Sequence, residues 1–256
     1  VDGIMNSARV RTVKKLFGDN KHKTLRSAQG NHRSILDVGC GNGLFIAKLQ
    51  KKGWKIAGTE FAPESHINPK ILPVVCRESL EKCEFPNESF DLVTMWHSLE
   101  HVNEPELYLK EANRLLKKGG TLLVEVPNIE SWQAIFAEKN WFHLEAPRHR
   151  FHFSPQGLET LLLKTGFSGI SVSYQGFIYG VFGWAQSVFN MALKRKNLLF
   201  DFLNKKISPA ELLRNPADTL MLLLGIIPVS AISFFLHFAE KFSKRGSIMR
   251  IIAKKI

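Results

Sequence analysis

The stretch ILDVGCGNGLF, Ile35 to Phe45, sets the reading of the whole chain. It opens as an apolar run that suits a buried strand. It then passes into glycines at alternate positions, Gly39, Gly41 and Gly43, before an apolar helical pattern begins. A strand, a glycine-rich turn and a helix together let a ligand come close to the carboxyl edge of a sheet, with helix amides directed at it. Glycine permits positive φ in such a turn and removes the Cβ that would obstruct the approach. A dinucleotide site favours GxGxxG, but the position three beyond Gly41 is Leu44, so the spacing here is GxGxG.

Working outward, residues 34–174 alternate short apolar or β-branched runs with helical patterns, the signature of a parallel sheet covered by helices. The pattern predicts strands near 34–38, 54–60, 71–75, 90–96, 120–126 and 168–174, and helices near 43–52, 104–117 and 155–165. In EPELYLKEANRLLKKGG the apolar positions Leu107, Leu109, Ala112, Leu115 and Leu116 precede two lysines and two glycines that suit a helix C-terminus.

The chain has 256 residues, 45% of them hydrophobic, enough for a substantial core. Its net charge of +12 is uneven: residues 1–33 carry +6, residues 34–193 carry −2 and residues 194–256 carry +8. A phosphate-tracking groove needs basic residues beside the chemistry, so the central region is a poor nucleic-acid binder and the basic tail wants another partner. Cys40, Cys76 and Cys83 have no zinc-type spacing and form an odd set, which fits a reducing, cytosolic setting. No basic leader followed by an apolar run opens the sequence, and secretion is not expected.

In its ordered motifs the chain resembles the class I S-adenosylmethionine-dependent methyltransferases. Their first motif reads much like LDVGCGNGLF, and IAGTE, FDLVTMWHSLEHV and LLKKGGTLLVEVPN follow in the right order over about residues 34–174. The resemblance implies an α/β, Rossmann-like sheet of strand order 3-2-1-4-5-7-6 with the last strand antiparallel, and S-adenosyl-L-methionine as cofactor. It implies that the turn carrying Gly39, Cys40, Gly41, Gly43, Leu44 and Phe45 packs on the methionine part of the cofactor. Asp37 then holds the loop and the amino group. Glu60 matches an acid that accepts from both ribose hydroxyls, which suits a carboxylate because it is acceptor-only while a cis-diol offers two donors. Ser79 and Leu80 fall where the family contacts adenine, and Trp96 is assigned to the same pocket. Taken alone, these residues leave other roles open: Glu60 as a solvated strand-end charge, Asp37 as a turn residue, Leu80 as plain core.

The segment WHSLEHV places His97, Glu100 and His101 at the carboxyl end of the fourth strand, and PRHRFHF adds His149 and His152. These five are expected to converge on one face. In the ubiquinone-pathway O-methyltransferases and the small-RNA terminal 2′-O-methyltransferases the related motif is ExxEH, which can hold a divalent cation. Here His97 replaces the first acid, so no metal is assigned. A histidine can instead take the proton of an attacking hydroxyl. The sequence favours His101 as that base, His149 next, and Glu100 as the group orienting one of them. The alternative is a set of structural histidines. Trp141 and Phe142, with Trp96, are candidates for the wall of the acceptor pocket.

Beyond Tyr174 the composition shifts to two charge-free runs, 174–193 and 219–239, joined by a basic segment. GSIMRIIAKK alternates well enough to be the final strand, which makes 177–246 an insertion, 34–176 plus 247–256 the catalytic domain, and 1–33 a basic lead-in. Each run approaches the roughly 20 residues that span a bilayer. Yet the last strand must return to the sheet, the linker would carry its lysines outside, and Pro228 interrupts the second run. Two re-entrant or surface-lying helical hairpins on a cytoplasmic membrane face are therefore expected, with a helical cap or a dimer interface as the alternative. The leading functional reading is methyl transfer to an oxygen of a membrane-embedded or lipid-linked small molecule. RNA 2′-O-methylation and a silent membrane-binding module that retains the cofactor fold are the competing ones.

Overall fold

The computed structural model describes residues 2–18, 32–174 and 176–256. Part of the expected lead-in, residues 1 and 19–31, lies outside them. The seven strands are β1 Ser34–Val38, β2 Lys55–Thr59, β3 Val75–Cys76, β4 Phe90–Trp96, β5 Leu116–Pro127, β6 Phe167–Tyr174 and β7 Ile248–Lys255. They form one sheet of order β3-β2-β1-β4-β5-β7-β6, with the last strand antiparallel, as expected for the class I fold. β1 is central and buried along its whole length, which is why its sequence is an apolar run rather than an alternation. Its parallel register sets Asp37 beside Gly58 of β2 and Thr94 of β4.

The chain divides into two compact units: residues 1–124, 161–170 and 252–256, and residues 125–160 and 171–251. These limits fall elsewhere than the segment boundaries drawn from composition. The reason lies in the polar contacts of residues 128–142. Asn128 N–H donates to Ser247 O at 2.9 Å, Gln133 N–H to Glu240 Oε1 at 3.1 Å and Phe142 N–H to Ser187 Oγ at 2.9 Å, so this stretch belongs with the helical segment.

In the first unit, α1 (Asp2–Phe17) is a helix where the sequence showed only a weakly periodic lead-in. Val10 and Val13 on it join a core containing Ile35, Phe45, Leu49 and Trp54. α2 (Leu44–Gln50) follows the glycine turn, and α3 (Pro105–Leu115) buries Leu109, Ala112 and Leu115 while Leu107 stays exposed. The LKKGG segment is not the end of α3 but the start of β5. Leu116 is already buried and extended there, and Lys117 reaches Asp91 at 2.8 Å. β3 is shorter than expected because residues 72–74 form a 3-10 turn. Cys76 and Cys83 are joined by a disulfide, a pairing that the odd cysteine count did not suggest. The 3-10 turn over Leu80–Cys83 folds the chain back and brings the two together, while Cys40 stays buried and free.

The second unit holds α4 (Trp132–Ala137), α6 (Phe177–Ala192), α7 (Leu198–Leu203), α8 (Pro209–Leu212) and α9 (Pro216–Phe242); α5 (Pro155–Lys164) precedes β6. In place of two hairpins, α6 and α9 pack along each other, and the short helices α7 and α8 occupy their connection. α9 runs through Pro228 without interruption, because Leu222 and Val229 on either side are anchored in the cluster built around Phe189 and Leu198. α9 is also inverted. Asp218, Thr219, Ser233, His237 and Glu240 are among its buried residues, while Leu224, Ile227 and Phe235 are 71%, 79% and 71% exposed.

Candidate active site

The glycine turn follows β1 because three successive alternate residues take the left-handed conformation, Gly39 at φ 73°, Gly41 at φ 56° and Gly43 at φ 73°. Their roles differ. A Cβ on Gly39 would lie 2.7 Å from Ser98 Cβ, and one on Gly43 would lie 2.9 Å from Ile71 Cγ2. A Cβ on Gly41 would meet no protein atom within 4 Å, so Gly41 faces the open side of the turn.

Glu60, at the end of β2, locks this turn. Its Oε2 accepts from Gly41 N–H at 2.6 Å, and its Oε1 accepts from Phe61 N–H at 2.8 Å and Ala62 N–H at 2.9 Å. Each carboxylate oxygen has two acceptor positions; those of Oε1 are filled, and one on Oε2 remains for a ribose hydroxyl. Asp37 is buried, and Thr94 Oγ1 donates to its Oδ1 at 2.6 Å, as the β1–β4 register requires. Burial pushes the Asp37 pKa up to about 7; the Thr94 hydrogen bond and the Arg9 charge work against this, and Glu60 adds to it. Burial also pushes the Cys40 thiol up, which keeps it protonated and inert.

Phe45 packs edge-on against Trp96 at 5.6 Å between centroids. Arg9 of α1 lies 5.1 Å above the same indole. Leu80 is 1% exposed, and Ser79 Oγ and Ser98 Oγ are buried without hydrogen bonds. Orphaned hydroxyls around a cradle of bare backbone fit a polar ligand of the adenosyl type. Arg9, Ser98 and the exposed Phe61 beside Glu60 were not found from the sequence. Arg9 sits in a stretch with little periodicity, and Ser98 comes into view only through its approach to Gly39 and its buried hydroxyl.

His97 follows β4 and takes a left-handed φ of 53°, rare for a residue with a side chain. Such strain concentrates at functional positions. Its Nδ1 lies 3.3 Å from Glu100 Oε1. Glu100 is 1% exposed. Burial raises its pKa, but the His97 hydrogen bond and charge, a backbone bond and the His101 charge outweigh this and hold it below the usual value. An ionised carboxylate can only accept, so Nδ1 is the donor and Nε2 carries the basic lone pair. The sequence assigns Glu100 to orienting His101 or His149; it also lies within hydrogen-bond distance of His97.

His97, Glu100 and His101 belong to the first unit, and His149 and His152 to the second. In the second unit His149 Nδ1 lies 2.8 Å from His143 O and 6.2 Å separates the His149 and His152 ring centroids. Trp141 and Phe142 are buried there, with Trp141 Nε1 donating to Gln133 Oε1 at 3.0 Å.

The sequence profile of the methyltransferase-domain family matches residues 10–172. The ubiquinone biosynthesis O-methyltransferase of Cereibacter sphaeroides is 25% identical over 188 residues, 68% of this chain and 73% of that protein. A SAM-dependent methyltransferase from Archaeoglobus fulgidus has the same fold at a TM-score of 0.57 and 17% identity, over 100% of this chain and 95% of the other. A phosphoethanolamine N-methyltransferase from Haemonchus contortus shares it at a TM-score of 0.52 and 15% identity, over 88% of this chain and 48% of the other. The fold therefore serves more than one acceptor atom.

Proposed function

Since the chain belongs to the methyltransferase-domain family and uses S-adenosylmethionine, we propose that it methylates an oxygen of a membrane-embedded or lipid-linked small molecule, working from the cytoplasmic face of the membrane. The observation that carries oxygen as the acceptor is the His97–Glu100 pair. A hydroxyl is a poor nucleophile until a base takes its proton, and a histidine fixed by a buried carboxylate beside the glycine turn supplies one. Bound S-adenosylmethionine supplies a methyl group activated by a sulfonium. Gly41 leaves room for it, Glu60 accepts from the ribose diol, Asp37 receives the amino group, and Ser79 and Leu80 receive the adenine. We assign the proton of the acceptor hydroxyl to His97 Nε2, with Glu100 stabilising the imidazolium that forms. His101 and His149 remain the rival bases.

Membrane association rests on the inverted α9. It is long and apolar enough to cross a bilayer by length and composition, yet only 17% of its most apolar window is buried. Its partner α6, with 16 residues, falls short of the roughly 20 that span. Both ends of the segment join strands of one sheet, which speaks against a single crossing by α9. Lys194, Arg195, Lys196, Lys205, Lys206 and Arg214 are all exposed in the connection, where each contributes on the order of 1 kcal/mol against an anionic surface. We therefore read α9 as lying in the interface.

The test is mass spectrometry of lipid extracts from cells with and without the gene. A species one methylene lighter should accumulate without it, and the purified protein should convert that species using S-adenosylmethionine. His97→Ala should lower turnover by about 10²- to 10⁴-fold while S-adenosylhomocysteine binding stays unchanged. A loss confined to His101→Ala would move the base there. Identical lipid extracts would remove the acceptor class.

A further inference from the structure

We infer that Cys76 and Cys83 are a reversible dithiol–disulfide pair that sets how tightly the chain holds the adenosine end of its methyl donor. The inference rests on the reading that Ser79 and Leu80 receive adenine. Both residues lie in the seven-residue step that the disulfide closes. Leu80 is buried there, and Ser79 Oγ is buried without a hydrogen bond, so the loop is shaped around a polar group it does not itself contain.

The position of the loop makes the crosslink matter. β3 is the outermost strand of the sheet and only two of its residues pair, Val75 with Gly58 and Cys76 with Thr59. Cys76 also accepts the Glu60 N–H at 3.1 Å, so the first cysteine is bonded to the residue assigned to the ribose. With so short a ladder, the covalent bond is a main constraint on the loop. When it opens, the loop gains freedom that ligand binding must then remove.

The pair is also built for exchange. Both cysteines are half-buried, not sealed in the core. An accessible disulfide is open to attack by a small thiolate. Cys40 is the opposite case: it is buried, and its thiol is disfavoured as a thiolate. Oxidation uses a low-molecular-weight disulfide of the oxidised-glutathione class. One cysteine thiolate attacks a sulfur of that disulfide, forming a mixed disulfide and expelling one small thiolate. The second cysteine thiolate then attacks the protein sulfur and expels the other. The Cys76–Cys83 bond forms, the small S–S bond breaks, two electrons pass to the small molecule, and the expelled thiolates take up the two protons lost by the cysteines. A small dithiol reverses the sequence.

The experiment titrates the full chain with S-adenosylhomocysteine by calorimetry in glutathione buffers of fixed ratio, and counts thiols after denaturation. Of the three cysteines, one should react in the oxidised form and all three in the reduced form. The dissociation constant should rise about tenfold on reduction, within what closing a short loop contributes. The Cys76→Ser/Cys83→Ser double variant should bind like the reduced form in every buffer, with circular dichroism unchanged. Equal, tight binding in both states overturns the switch and leaves the cofactor reading intact. A disulfide that fails to form, or that no glutathione ratio opens, overturns it as well. A folded chain that binds in neither state overturns the cofactor reading beneath it.

Discussion

Replacing Gly41 with alanine separates the glycine that serves the ligand from those that serve the fold. All three turn glycines have positive φ, and an L-residue there costs roughly 1–2 kcal/mol. For Gly41→Ala that is the whole stability cost, because the new methyl meets nothing within 4 Å and the Gly41 N–H bond to Glu60 is kept. A chain of this size should lose about 2–8 °C in Tm. Gly39→Ala and Gly43→Ala add contacts of 2.7 Å to Ser98 and 2.9 Å to Ile71, and such overpacking contributes about 1–3 kcal/mol more. Binding should divide differently. The Gly41 methyl projects into the space that the methionine part of the cofactor enters, so calorimetry with S-adenosylhomocysteine should register at least a hundredfold weaker binding, about 2.7 kcal/mol. Thermal denaturation and calorimetry on the three variants decide the matter. Wild-type affinity in Gly41→Ala, or a Gly39→Ala protein no less stable than it, would refute the reasoning.

Other consequences can be measured directly. Burial raises the Asp37 pKa to about 7 from 3.8, so the folded chain binds more protons than the unfolded one between these values. The associated stability is complete below pH 4 and lost as pH rises through 7, by a few kcal/mol. Asp37→Asn, which can still accept from Thr94, should therefore be more stable than wild type at pH 8 and comparable near pH 4 in urea titrations, while binding the cofactor poorly. Ile227→Asp and Phe235→Asp alter exposed positions, so they should leave Tm within about a degree and abolish sedimentation with anionic vesicles; unchanged sedimentation would favour a cap or dimer role for α9. Arg250 and Glu125 form a largely buried pair with Nε to Oε2 at 2.8 Å, so Arg250→Leu, which strands Glu125, should cost about 3–5 kcal/mol by chemical denaturation.

The sheet was legible because its signals are local. β1, β4 and the turn after β1 each announce themselves within a few residues, and the ordered motifs then fixed the topology. What escaped depends on neighbours distant in the chain. α1 has no clear apolar stripe, and Val10, Val13 and Phe17 anchor it in the core. The lysines and glycines after α3 resemble a helix end in isolation, but burial of Leu116 draws them into β5. Pro228 is a helix breaker by propensity, and packing around Leu222 and Val229 overrides it. In the site, Asp37, Glu60 and the glycines are singled out by their motif, whereas the approach of His97 to Glu100 involves a left-handed residue that no sequence pattern shows. The disulfide was hidden because seven residues of separation say nothing until a 3-10 turn folds them.

The strand order carries one consequence for how the protein comes to exist. β7 lies between β5 and β6, yet it is synthesised after both and after the whole of α6 to α9. Until β7 is inserted, the sheet has a gap in its interior while the most apolar helix is already made. On the lipid reading, early engagement of α9 with a bilayer would shelter its exposed leucines and phenylalanines during that interval. The nascent chain would then reach its working surface before its enzyme is complete.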